Sequence, residues 1–262
     1  MASLARIRVH PIKALDPEEL DRVRISPVGG LTGDRTYAIR DPAGEYVNGK
    51  LTDAVHHLST DVDLDAGSVT IGVRGAGGAS SFHLDRDRDA LAAWLSAYFG
   101  FDVGIESAPG GELSDSSVLD DRASGATVVS TGTLETVASW FPDVDVESVR
   151  SRFRSNLEVD GVPPFWEDRL VGDGGERFEI GGVVFDAVKP VYRCVVPTRD
   201  PDTGERTEGF RERFIEKRAE TFPEWADPAA FDHLYALTTL ATPDDSSRGE
   251  TVAVGDDVEL VG

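Results

Sequence analysis

One cysteine, Cys194, stands in a chain of 262 residues. A single thiol forms no internal disulfide, and alone it builds neither a four-thiolate zinc site nor an iron–sulfur cluster. Three fates remain open to it: a small buried hydrophobe, a nucleophile, or one ligand to a soft metal. Lysine is almost as scarce, with Lys13, Lys50, Lys189 and Lys217 the only four. The 26 basic residues face 48 acidic ones, for a net charge of −22. Such a surface repels phosphates, which excludes a general nucleic-acid binder. No apolar run approaches the roughly 20 residues that span a bilayer. The opening Met1-Ala2-Ser3-Leu4-Ala5-Arg6 also lacks the apolar core of a secretion signal. No membrane span and a cytoplasmic location are therefore the expectation. His-Glu-x-x-His, Gly-x-Gly-x-x-Gly, Gly-x-Ser-x-Gly and the P-loop pattern are all missing. His56 and His57 are adjacent, which in an extended segment would aim their rings at opposite faces.

What is present is a series of short alternating segments. Ala5–His10, Leu20–Ser26, Thr36–Arg40, Glu45–Val47, Val62–Leu64, Ser68–Val73 and Ser81–Leu84 are predicted strands, a spacing that suggests a barrel or sandwich. Leu91, Trp94, Leu95, Tyr98 and Phe99 fall at helical spacing within Asp87–Phe99, with Gly100 as the stop. Residues 107–125 are rich in Ser, Asp, Gly and Pro and form the candidate linker between halves. Beyond it, Val128–Ser130 is a predicted strand running into a helix start at Thr131. Asn156–Val159, Arg177–Ile180, Val183–Val188 and Thr251–Val261 are further strands. Glu208–Glu220 and Phe231–Leu240 are predicted helices.

Clustered cations in so acidic a chain need a reason. Arg150-Ser151-Arg152-Phe153-Arg154-Ser155-Asn156 places three arginines in five positions. If this stretch is extended, Arg152, Arg154 and Asn156 share a face, and two guanidinium forks with an amide suit a phosphate or carboxylate. Arg193 beside Cys194 adds a fourth cation, and nearby positive charge favours a thiolate. The alternative is a set of surface ion pairs with the surplus acids. Lys13 after His10-Pro11-Ile12, and Arg35 after Gly33-Asp34, are read alone as turns.

Taken together these segments resemble the MOSC family. His10-Pro11-Ile12-Lys13 and Gly33-Asp34-Arg35 resemble the opening motifs of its N-terminal domain. Arg152-Phe153-Arg154-Ser155-Asn156, Phe165-x-Glu167-Asp168, Tyr192-Arg193-Cys194, Asp200-Pro201-Asp202-Thr203-Gly204 and Val254-Gly255-Asp256 resemble those of the MOSC domain, in order. The resemblance implies a β-rich α+β fold: an N-terminal β-barrel-like domain, residues 1–106, packed on a MOSC β-barrel domain, residues 107–262, with peripheral helices. It implies a molybdenum cofactor in its molybdopterin form, with Cys194 as molybdenum ligand and catalytic residue. Lys13, Arg35, Arg152, Arg154, Asn156 and Arg193 would surround that cofactor, with Ser130 and Thr131 as hydroxyl contacts. The implied activity is reduction of N-hydroxylated small molecules. The implied partner is a separate ferredoxin- or flavoprotein-like electron donor, because no further cysteines are present for a fused iron–sulfur relay. Two other roles accompany this expectation: a sulfur carrier holding a Cys194 persulfide in cofactor sulfuration, and a non-catalytic cofactor-binding module. Ala14 stands where members of the family often carry Ser, which removes one cofactor hydrogen bond. The acidic, lysine-poor composition resembles that of proteins from salt-loving cytoplasms, so a haloarchaeal, halophilic origin is expected.

Overall fold

The structure, a computed structural model, describes residues 1–108 and 125–261. Most of the predicted linker, residues 109–124, lies outside the described residues. The first half runs β1 (Ser3–Val9), β2 (Glu18–Leu20), β3 (Arg22–Arg24), β4 (Tyr37–Arg40), β5 (Leu58–Asp63), β6 (Ser68–Val73), β7 (Ala79–His83), α1 (Arg88–Phe99) and β8 (Gly104–Ser107). The second runs β9 (Ala126–Ser130), α2 (Thr131–Ser139), α3 (Val146–Phe153), β10 (Leu157–Asp160), β11 (Arg177–Ile180), β12 (Val183–Tyr192), α4 (Phe210–Glu220), β13 (Ala236–Pro243), β14 (Thr251–Ala253) and β15 (Val258–Val261). The molecule is a β-rich α+β fold, as expected.

An eight-stranded sheet dominates, in the order β15-β11-β12-β13-β9-β10-β1-β2. Its pairings are antiparallel except for β9 on β10. The amino-terminal strand β1 therefore belongs to the sheet built mostly from the second half, pairing Ile7 with Leu157. A second crossing joins β3 to β14, with Val23 opposite Val252. The rest of the first half forms the meander β5-β6-β7 and the pair β4-β8. Leu91 and Leu95 of α1 are buried with Val69 and Ile71 of that meander. Gly100 ends α1 in the left-handed region, at φ 77°, a conformation that carries little cost without a Cβ.

On the second half, α2, α3 and α4 share an aromatic core. Phe141 and Phe210 stack at 4.4 Å, and Phe214 meets Trp140, Phe153 and Tyr235 at 5.3–5.5 Å between centroids. Each such ring removed from water contributes about 1.5–3 kcal/mol.

Four readings of the sequence change here. The predicted strand Leu20–Ser26 is split, because β2 pairs with β1 whereas β3 pairs with β14. Thr251–Val261 is likewise two strands, separated by a turn in which Gly255 has φ 93°. Glu45–Val47 forms no strand; it contributes one bridge, Arg40 to Tyr46. The predicted helix Phe231–Leu240 is instead an irregular segment leading into β13. Its Leu-Thr-Thr-Leu run lies buried between β12 and β9. A short apolar run buried on both faces carries no period that separates strand from helix.

Candidate functional site

A cleft of about 290 Å³ lies where the two halves meet. Its walls come from both. His10, Lys13 and Arg35 arrive from the first half with Asn48–Lys50, His56 and Arg74, while Arg152, Arg154, Tyr192–Cys194 and the loop after Cys194 arrive from the second. Nine lysine or arginine side chains line it against two carboxylates, Asp16 and Asp202. In a protein of net charge −22, this is a local inversion of sign that favours an anionic ligand.

The arginines reach the cleft by a route other than a shared extended face. Asp145 caps α3 by accepting the Ser148 N–H at 2.7 Å, and Val149 and Phe153 bury one side of the helix. Arg152 is thus helical, and Arg154 is the left-handed C-cap, φ 52°. Arg152 donates to the carbonyls of Pro197 (2.9 Å) and Arg199 (2.6 Å) and to Thr207 Oγ1 (3.1 Å). It holds the loop after Cys194 in place. Arg154 donates to the Leu15 carbonyl at 2.7 Å. Burial, with Arg35 close by, lowers its pKa to about 10, so it stays charged at neutral pH.

Arg35, itself left-handed at φ 46°, pairs with buried Asp34 and touches Asn156 Oδ1 at 3.5 Å. Burial opposes the charge on Asp34, but Arg35 and the hydrogen bonds of His10 hold its carboxyl well below the ordinary range. His10, fully enclosed, lies 3.5 Å from Asp34 through Nδ1. Burial first, then Arg154, lowers its pKa to about 3. Its imidazole is neutral.

Cys194 is exposed, and its Sγ accepts the Val196 N–H at 3.5 Å. The buried hydrophobe among its three fates is thereby removed. Arg193, one residue before, turns inward: Nε donates to the Leu237 carbonyl at 3.0 Å and Nη2 to Thr238 Oγ1 at 2.5 Å. Its guanidinium lies 5.3 Å from the Phe153 ring centroid. Burial lowers the Arg193 pKa to about 10, with Cys194 acting in the opposite direction. Just past the end of β12 at Tyr192, the chain thus sends the cation in and leaves the thiol exposed.

Lys13, Arg35, Arg152, Arg154, Arg193 and Cys194 all line the cleft. Asn156, Ser130 and Thr131 do not. Asn156 is buried beneath it, accepting from the Thr127 backbone N–H and Oγ1 and donating to the Arg8 carbonyl at 3.0 Å. Ser130 caps α2 through the Thr133 N–H, and its own N–H donates to Glu167 Oε2 at 3.2 Å. Thr131 donates to Glu158 Oε1 at 3.0 Å. These hydroxyls serve the helix start and the buried carboxylates next to it.

Sequence reading missed His56. It sits in the 3-10 turn Asp53–His57, not in an extended segment, and both histidines face the Pro201–Thr203 loop: His57 Nε2 lies 2.6 Å from the Thr203 carbonyl. The capping Thr52 and following Asp were a signal for a turn. Its partner, 145 residues away, left none. Among the described residues no group of three or more His, Cys, Asp or Glu could hold a metal, and no helix is long and apolar enough to cross a membrane.

Comparison with known proteins agrees with this architecture. The profile of the MOSC N-terminal beta barrel domain matches residues 1–102, and that of the MOSC domain matches residues 121–259. A molybdenum cofactor sulfurase of Caenorhabditis briggsae is 41% identical over 64 residues, 24% of this chain and 8% of that protein. One of Caenorhabditis elegans is 37% identical over 68 residues, 26% of this chain and 9% of that protein. The match thus spans less than a tenth of these curated relatives. With both domain profiles covering the two halves that form the cationic cleft, the chain belongs to the MOSC family.

Proposed function

We propose that this protein is a molybdenum-cofactor-binding oxidoreductase that reduces N-hydroxylated small molecules with electrons from a separate donor protein. One observation carries the reading: a lone, exposed thiol stands at the rim of a cleft whose cations reverse the charge of the whole molecule. The donor set fits the cofactor. A soft thiolate suits a thiophilic metal, and fixed cations suit an anionic pterin phosphate. Buried Arg8 leaves Nη1 without a hydrogen-bond partner among the described residues while lining the same cleft, which supports an anion there. Lys13, Arg35, Arg154 and Arg193 would surround the pterin, and Cys194 would ligate the metal. When bound, the cofactor supplies two-electron redox chemistry and an open position for the substrate oxygen. The chain's part is to hold that group, neutralise its charge and restrict water.

The test is elemental analysis of protein purified in high salt from a molybdenum-replete host. About one molybdenum per chain, lost together with reductase activity in Cys194→Ser, is the expected result. Metal-free wild-type protein would overturn the reading.

The sulfurase names of the curated relatives favour a second reading. Here the Cys194 thiolate attacks the outer sulfur of a donor persulfide, the donor S–S bond breaks to release the donor thiolate, and Cys194 carries the sulfur as its own persulfide. Mass spectrometry of freshly isolated protein would show the added sulfur on the peptide containing Cys194; its consistent absence in the presence of a persulfide donor counts against this role.

A further inference from the structure

Most titratable side chains of the cleft are already committed. Asp16 and Asp202 both pair with Arg74. His10 also leaves its Nδ1 without a hydrogen-bond partner among the described residues, but its ring is fully enclosed against Asp34. The Tyr192 hydroxyl accepts the Asp232 N–H at 2.8 Å. His56 is different. Its Nδ1 lies 3.4 Å from the Pro201 carbonyl, an arrangement that places the ring proton on Nδ1 and leaves a lone pair on Nε2. That Nε2 is buried and has no hydrogen-bond partner among the described residues. The backbone of His56 is braced as well, since its carbonyl accepts Arg74 Nε at 3.1 Å.

The ring also reaches the segment that carries the thiol. A Cβ placed on Gly49 would lie 2.8 Å from His56 Nε2 and 3.3 Å from both γ carbons of Val196. Only glycine permits this approach. Val196 is the residue whose N–H is bonded to Cys194 Sγ. The imidazole nitrogen therefore converges on the loop that presents Cys194.

We propose that His56 is the proton-transfer residue of this cleft, with Nε2 delivering a proton to the oxygen that leaves the substrate. The proposal rests on the reductase reading above. In that reaction R–NH–OH takes two electrons and two protons and yields R–NH2 and water. The N–O bond breaks, nitrogen is reduced, and the electrons come from a reduced flavin or iron–sulfur donor protein. One proton goes to nitrogen and one to the departing hydroxyl oxygen. His56 supplies the latter.

Charge around the ring couples proton uptake to ligand arrival. Arg199 acts on it from the loop after Cys194, Arg154 from the end of α3 and His57 from its own turn, while Arg74, from beyond β6, meets the His56 carbonyl and pairs with Asp202. Burial first, and then Arg199 and Arg154, hold its pKa below the ordinary 6.5, against the effect of the Pro201 carbonyl. An anion entering the cleft offsets those arginines and favours the imidazolium.

The first test needs no turnover. In isotopically labelled protein, the ring signal absent from His56→Gln should titrate below 6.5 and move up by about half a unit or more when inorganic phosphate is added. A midpoint at or above 6.5 that ignores phosphate overturns the proposal. The second test is kinetic. In molybdenum-loaded wild-type protein the rate should fall as pH rises through the His56 midpoint. His56→Gln should keep its molybdenum, lose roughly 100-fold in rate, and lose that pH limb. Gly49→Ala, which pushes directly on Nε2, should shift the His56 titration and slow turnover in the same direction. An unchanged pH profile in His56→Gln, or loss of molybdenum on that substitution, overturns the role of His56 while leaving the reductase reading intact. Wild-type protein without molybdenum sinks the reductase reading, and the proton-transfer proposal falls with it.

Discussion

Arg152 and Pro197 are joined by a 2.9 Å hydrogen bond from guanidinium to carbonyl, so the loop after Cys194 is held to the end of a helix and not left to find its own shape. The same guanidinium also satisfies the Arg199 carbonyl and Thr207. Arg152→Ala orphans all three acceptors. Hydrogen bonds from a charged donor contribute about 1.5–3 kcal/mol, and their shared loss should cost roughly 3 kcal/mol in urea unfolding. Arg152→Lys should recover only part, because an ammonium cannot span the same fork. A loss below about 0.5 kcal/mol, the range of ordinary surface substitutions, would show that the loop is held by other contacts.

His10 sets an acid limit. Its folded pKa is near 3, against an ordinary value of 6.5. Between those values the unfolded chain takes up a proton that the folded chain refuses. Stability should therefore fall as pH drops from about 6.5, with a slope of up to roughly 1.4 kcal/mol per pH unit. His10→Gln should flatten the curve between pH 6.5 and 4 in denaturant titrations. The depressed carboxyl of Asp34 adds a separate loss only at lower pH, below the unfolded carboxylate value of about 3.9. A wild-type curve already flat down to pH 4 would contradict the assignment.

Glu167 acts with the opposite sign. It is buried, accepts from the Ser130 N–H and Thr133 Oγ1, and leaves Oε1 without a hydrogen-bond partner among the described residues. Burial, and then the neighbouring negative charge of Asp168, raise its pKa above the ordinary 4.5. Its contribution is full below that value and is lost as pH rises through the folded pKa. Glu167→Gln should match wild type near pH 4.5 and become the more stable protein by pH 8. Parallel stability curves for the two proteins would exclude a protonated Glu167.

Net charge predicts a salt response. At −22 the folded chain repels itself, and at 1 M salt the screening length is about 3 Å. The melting temperature should climb as KCl rises from 0.1 to about 2 M, and by more than sucrose of equal osmolality achieves. Equal gains from both would mean that solute exclusion, not screening, governs stability.

Parts of this molecule could be read directly from residue order. Ser68–Val73 and Arg177–Ile180 are strands over the predicted spans, because Val69 and Ile71 in the one, and Phe178 and Ile180 in the other, turn the same buried face. Phe231–Leu240 was not readable, because β13 is covered on both sides and its period is erased. Arg152 and Arg154 show a different failure. Their clustering was visible, but the Asp145 cap and the buried pair Val149 and Phe153 make the segment helical and send the two guanidinium groups to different tasks. The cleft itself is assembled from segments far apart in the chain. Each cation could be noticed singly. Their convergence, and the meeting of His56 with Pro201, depends on strand pairings that no local window contains.

Strand β1 is walled in by β2 on one side and β10 on the other, and this orders events on the ribosome. β2 follows within a few residues, but β10 begins at Leu157. Strand β1 must wait until that segment is made with one hydrogen-bonding edge open, a template for wrong pairing. The arm from His10 to Lys13, which continues from β1, pairs sooner, with the segment from Asp34 to Tyr37. Nascent chains stalled before Leu157 should therefore depend on chaperones and bind no anion, since the bank of the cleft from Tyr192 to Arg199 is then still unmade.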